Sequence, residues 1–148
     1  MITLAENRKA RFDFELLETF EAGIELWGFE VKAVKNHKIN LEGSYVFPRY
    51  GEFFLVGATI APYQPKNTPK DYEPMRERKL LLHKSEMDYF LGKISQKGLT
   101  ILPVRVYSKK GRIKLEIALA RKFKKHDKRE IIKERESKRK IEHTLKEI

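Results

Sequence analysis

Cysteine is absent from the 148 residues, which removes disulfide staples, thiolate chemistry and cysteine-ligated zinc from consideration. Long hydrophobic runs are absent too. The richest stretches, Phe53–Val56 and Leu80–Leu82, fall far short of a bilayer span. Met1–Ala5 is followed at once by Glu6, Arg8, Lys9 and Arg11, the wrong order for a secretory signal. A soluble, cytoplasmic chain is therefore expected. Nor is there a G-x-x-x-x-G-K-[ST] loop, a G-x-G-x-x-G turn or an H-E-x-x-H helix. His37, His83, His126 and His143 are too scattered to form a local metal site. Ser44 and Ser85 have no histidine or acid at a motif spacing. Catalysis and a bound cofactor both lack support, so no enzyme is expected.

What is abundant is positive charge. Lys and Arg number 32 against 21 Asp and Glu, a net of +11 with a pI near 9.8. A polyanion is the expected partner. Residues 121–148 hold 12 of the basic and 6 of the acidic residues, more than half of the excess in under a fifth of the chain. They also contain no Gly and no Pro, and only Phe123, Ile131, Ile132, Ile141, Leu145 and Ile148 are large apolar side chains. Ordering such a segment costs roughly 1–2 kcal/mol per residue of backbone entropy, with little apolar surface to offset it. Residues 1–120 thus read as a folded domain. Residues 121–148 read as a basic tail, disordered when free and helical on a partner. The other reading of this tail is a solvated helix laced by pairs such as Glu134 with Lys138.

The body alternates with period two. Leu102, Val104 and Val106 would share one strand face; Ile113, Leu115, Ile117 and Leu119 would line its partner, with Ser108–Arg112 as the turn. A second hairpin is predicted across Ser44–Phe47 and Phe53–Thr59, turned by Pro48–Gly51, with further strands at Phe12–Leu17 and Phe29–Lys35. Ser85–Asp88 resembles a capping box before the stripe Met87, Phe90, Leu91 and Ile94. Phe20, Ile24 and Trp27 predict a short helix after Thr19, with Glu21 and Glu25 one turn apart near its start, where acidic residues suit the helix dipole. Ala61–Glu77 holds four of the six prolines and should be an exposed, mobile loop. The fold class expected is mainly β with short helices: an OB-like antiparallel β-barrel with outer helices and the C-terminal tail.

Binding chemistry is better represented than catalysis. Basic residues interleave with flat and hydrogen-bonding side chains in Asn7–Phe12, Lys32–Tyr45 and Arg76–Lys79. Lys and Arg contact phosphate, while an exposed ring such as that of Tyr45 can stack on an unpaired base or, equally, belong to the core. RNA is favoured over a membrane, because the tail has no aromatic after Phe123 and no large hydrophobic face.

Five strings occur in order: Asn7–Ala10 opening a strand, Phe20–Lys32 (FEAGIELWGFEVK), Asn40–Val46 (NLEGSYV), Arg78–Leu82 (RKLLL) and His126–Arg129 (HDKR). Together they resemble the small protein B family, the SsrA-binding proteins of bacterial trans-translation, in register from Asn7 to about Arg135. The resemblance implies an OB-like barrel that binds the tRNA-like domain of transfer-messenger RNA and accompanies it to ribosomes stalled on truncated messages. The tail would enter the empty message channel and decoding centre of the 70S ribosome, with alanyl-tRNA synthetase and elongation factor Tu as indirect partners.

Carried over by position, Glu21 matches an RNA-contact residue, and Asn40 and Tyr45 lie in a segment of the same surface. Arg8, Lys9, Lys32, Lys35 and Arg78 match its basic positions, with Lys79 beside them. His126, Asp127, Lys128 and Arg129 match the tail-root motif, which Lys133 and Arg135 extend. Lys35 stands where the family commonly has Arg, and Lys122 where it often has Gly. The alternative is a general OB-fold single-strand RNA binder or ribosomal structural protein.

Overall fold

A computed structural model describes residues 1–96, 98–123 and 133–136. Seven strands form one antiparallel sheet: β1 (Ile2–Glu6), β2 (Phe14–Ile24), β4 (Tyr45–Arg49), β5 (Glu52–Val56), β7 (Arg78–Leu81), β8 (Leu99–Lys109) and β9 (Arg112–Lys122). Their spatial order is β1-β8-β9-β2-β7-β5-β4. The short β3 (Ile39–Asn40) and β6 (Thr59–Ile60) pair separately. The sheet curls toward closure, bringing edge strand β4 against β8. Helices α1 (Arg8–Asp13), α2 (Gly28–Lys35) and α3 (Lys84–Ile94) decorate it. The mainly antiparallel β architecture with short helices is the one expected.

Both predicted hairpins form. β8 and β9 turn through Lys110 (φ 52°) and Gly111 (φ 77°), and β4 and β5 through Tyr50 (φ 52°) and Gly51 (φ 75°). Two successive left-handed residues make the tight connection whose twist matches the flanking strands. Pro48 and Arg49 belong to strand β4 rather than to the turn. β9 continues through Lys122, which pairs with Phe14, so the ladder runs two residues past the composition boundary at Ala120.

Ala22, Phe53, Leu55, Leu80, Ile101, Val106, Leu115, Ile117 and Leu119 fill the barrel interior. A smaller core of Ala10, Leu102 and Ala120, with Phe14 and Leu16, lies beneath α1. Leu102 was expected to share a face with Val106, yet the two belong to different cores. A bulge between Pro103 and Arg105 reverses the alternation. A second bulge, between Leu16 and Glu18, does the same for β2: Phe14 and Leu16 lie under α1, while Phe20, Ala22 and Ile24 face the barrel core.

Other local expectations are corrected. Phe20 and Ile24 lie in strand β2, not in a helix; buried Ala22 between them completes a period of two. Glu21 and Glu25 are accordingly not one helical turn apart. Residues 29–35 are helical, not extended, because Glu30, Ala33 and Val34 are buried at the helical spacing. Asn7 opens α1 rather than a strand: its Oδ1 accepts from the Ala10 amide at 3.2 Å and its Nδ2 donates to the Pro103 carbonyl at 2.9 Å. α3 begins after His83, whose amide donates to Glu86 at 3.1 Å, so the cap lies two residues before Ser85. Phe90 of α3 is fully buried and meets Phe20 edge-on at 4.6 Å, while Leu91 is exposed.

Candidate nucleic-acid interface

Glu30 organises the side of the barrel below α2. Its carboxylate is fully buried and accepts from Arg78 Nη2 at 2.7 Å, Arg78 Nε at 3.0 Å, Arg76, the Tyr72 hydroxyl at 3.0 Å and the Trp27 amide at 2.9 Å. Burial pushes its pKa up, but the guanidiniums and the Trp27 amide outweigh that and hold it below the usual carboxylate value. Burial also pushes the Tyr72 hydroxyl up to about 12. The proline-rich segment 61–77 is largely exposed, as expected, but it is pinned at Tyr72 and Arg76. Arg78, expected on the RNA surface, is corrected: it has no exposed side-chain surface, and Nη1 is spent on the Ala58 carbonyl. A basic residue in the interior supports the packing of α2 on β7 instead of contacting a ligand.

Glu21 has the opposite setting. It projects from β2 into solvent, where the Tyr107 hydroxyl donates to it and Lys109 Nζ lies at 3.4 Å. The tyrosine hydroxyl chiefly, and the lysines beside it, hold its carboxyl below the ordinary value. Burial, and then the same bond, push the Tyr107 pKa up. Glu21 lines a cleft of about 540 Å³ with Lys79, Leu81, His83, Glu86 and Lys114. Gly23 shapes its floor, since a Cβ there would stand 3.1 Å from the Cβ of Leu81. Lys79 reaches Glu52 at 2.8 Å, a contact that raises its pKa and keeps it charged. Of the residues expected from the sequence, Glu21 and Lys79 line this cleft; Leu81 and Lys114, which were not expected there, line it with them. Lys114 was legible only as the outward partner of Leu115, and its approach to Glu21 comes from the β2–β9 register.

The remaining expected residues lie elsewhere on the chain. Lys9 and Tyr45 line a smaller, mostly apolar cleft of about 270 Å³ between α1 and β4. Tyr45 is 44% exposed, which decides its ambiguity in favour of a surface ring. Asn40 lies on β3, its Oδ1 accepting from the Glu42 amide at 2.9 Å, and Lys9 lies 3.9 Å from Glu42. Arg8 is exposed on α1, and Lys32 and Lys35 are exposed on α2. His126, Asp127, Lys128 and Arg129 lie outside the described residues; Lys133 and Arg135 are helical and exposed. Among the described residues no cluster of three or more acidic or histidine side chains is placed to hold a metal, and no helix is long and apolar enough to cross a membrane.

The arrangement is one of acceptors, ammonium groups and exposed rings on a rigid sheet, suited to a folded polyanion. Comparison with known proteins agrees. The family described as SmpB protein matches residues 4–147. The SsrA-binding protein of Thermosynechococcus vestitus is 45% identical over 97% of this chain and 95% of its own length. That of Nostoc punctiforme is 46% identical over 97% and 92%. A chain in the solved structure described as "tmRNA-SmpB: a journey to the center of the bacterial ribosome" superposes with a TM-score of 0.67 at 46% identity, covering 82% of this chain and 85% of that one. Near-complete coverage at this identity settles the relationship: the chain belongs to the SmpB family, that of the SsrA-binding proteins.

Proposed function

We propose that the chain is an RNA-binding adaptor of trans-translation, which holds the tRNA-like domain of transfer-messenger RNA and brings it to stalled bacterial ribosomes. The observation that carries this is family membership over nearly the whole chain, joined to a cleft that sets Glu21 among Lys79 and Lys114. Ammonium groups neutralise phosphates and release counterions. Glu21 repels phosphate, so its contribution is to accept hydrogen bonds from base N–H groups or 2′-hydroxyls. Lys9, Tyr45, Asn40, Lys32 and Lys35 extend the contact around the barrel. His126–Arg129, with Lys133 and Arg135, engage the decoding centre and the empty message channel. The protein works by binding, in the cytoplasm, with no reaction of its own; alanyl-tRNA synthetase and elongation factor Tu act on the same RNA.

Competition tests the reading. A transcript of the tRNA-like domain should displace poly-U efficiently and not the reverse. Equal competition would favour a general single-strand binder. Removing the residues after Arg129 should leave affinity for the tRNA-like domain nearly intact while abolishing peptide tagging; loss of affinity in that truncation would refute the division between barrel and tail.

A further inference from the structure

Two guanidiniums meet one carboxylate beneath α2, so one positive charge is left over. Arg78 is wholly buried and fully hydrogen-bonded; the surplus therefore resides with Arg76, whose side chain keeps 21% of its surface. The Arg76 guanidinium lies 4.1 Å from the centroid of the Trp27 ring. Trp27 is the single tryptophan of the chain and is 49% exposed. Capping of α2 does not require the indole, because the contact to Glu30 uses the Trp27 backbone amide. The indole and the guanidinium instead line a cleft of about 610 Å³ together with Phe54, Lys79 and Leu81. Lys79 and Leu81 also line the Glu21 cleft, so the two depressions adjoin along β7.

The second cleft differs from the first in its rings: the first has three carboxylates and two lysines but no Phe, Tyr or Trp in its lining, whereas the second has Trp27 and Phe54. Glu25 and Glu77 are in its lining, Glu77 paired with Arg49 at 2.8 Å. A flat, uncharged ring with N–H donors suits all the groups present: the indole and guanidinium offer stacking surface, and Glu25 offers an acceptor. We infer that this cleft receives an unpaired nucleobase of the RNA that lies along the Glu21 cleft, stacked against the Trp27–Arg76 pair. The inference rests on the RNA-binding reading above and adds to it a specific base-stacking subsite.

Trp27 is its own reporter. The full chain is titrated with an unlabelled transcript of the tRNA-like domain while indole emission and its acrylamide quenching are followed; a parallel titration follows the anisotropy of an end-labelled transcript. Emission should fall with the same midpoint as the anisotropy rise, and the bound indole should be shielded from acrylamide. Trp27→Ala should weaken binding about 5- to 100-fold, the range for loss of one stacked base, whereas Trp27→Phe, which keeps a stacking ring, should stay within about threefold. An anisotropy rise with unchanged indole emission and accessibility would overturn the subsite while leaving RNA binding by the barrel intact. So would wild-type affinity in Trp27→Ala. Absence of any anisotropy change would overturn both.

Discussion

Glu21 and Glu30 are nine residues apart, both acidic in a strongly basic chain, and their settings are opposite. Glu30 is sealed beneath α2 and saturated by two arginines, a tyrosine and a backbone amide. Glu21 stands in an open cleft with one tyrosine and one lysine beside it. The first joins α2, segment 61–77 and β7 into one body. The second is left available to a ligand. Two carboxylates with basic neighbours thus differ in whether water still reaches them: Glu30 is sealed and Glu21 is exposed.

The largest effect that would break this contrast comes from Glu30→Gln. It would leave Arg78 as an uncompensated buried cation, and unfolding by denaturant should show a loss of about 3–5 kcal/mol. A stability within about 1 kcal/mol of the parent would show that the network is dispensable. Smaller, and on the alkaline side, is the contribution of Tyr72. With its folded pKa raised to about 12, the native state keeps a proton that the unfolded chain releases near 10. Stability is therefore full below about pH 10 and declines as the pH rises toward 12. Thermal melts across that window should fall more steeply for the parent than for Tyr72→Phe.

In acid the sign reverses. Both carboxyls sit below their ordinary value of 4.5 in the folded state, so their stabilisation is complete above that pH and is lost as the pH falls through the depressed values. Melts between pH 6 and 3 should be flattened more by Glu30→Gln than by Glu21→Gln. Glu21→Gln should instead weaken RNA binding about tenfold at fixed salt, for want of a charged acceptor, with the melting temperature close to the parent's. The smallest effect belongs to Glu42→Gln, which removes an exposed 3.9 Å contact with Lys9 and should change stability by less than about 0.5 kcal/mol.

Much of the fold could be read before any coordinates. Ile113, Leu115, Ile117 and Leu119 alternate cleanly and form the inner face of β9, and Lys110-Gly111 marks its turn. Errors arose where a short apolar pattern fits two periods. Phe20 and Ile24 satisfy both a helical and an alternating template, and the deciding residue, Ala22, is small enough to escape notice. Residues 29–35 misled because the residue that marks the buried helix face is a glutamate. Glu21 and Lys79, both expected at the RNA surface, line one open cleft, but Arg78 beside Lys79 points the other way. One residue's difference along a strand exchanges the interior for the surface.

The sequence by itself determined the antiparallel β character, the two hairpin turns, the family and the basic segment beyond Ala120, because alternation, turn residues, ordered strings and charge are all local. Tertiary structure alone decided which charges are spent inside and which remain for a partner. Two bulges set the faces of β2 and β8, and the partner that neutralises Arg78 lies 48 residues away at Glu30. Burial and ion pairing depend on distances through space, and those exist only once the sheet has curled.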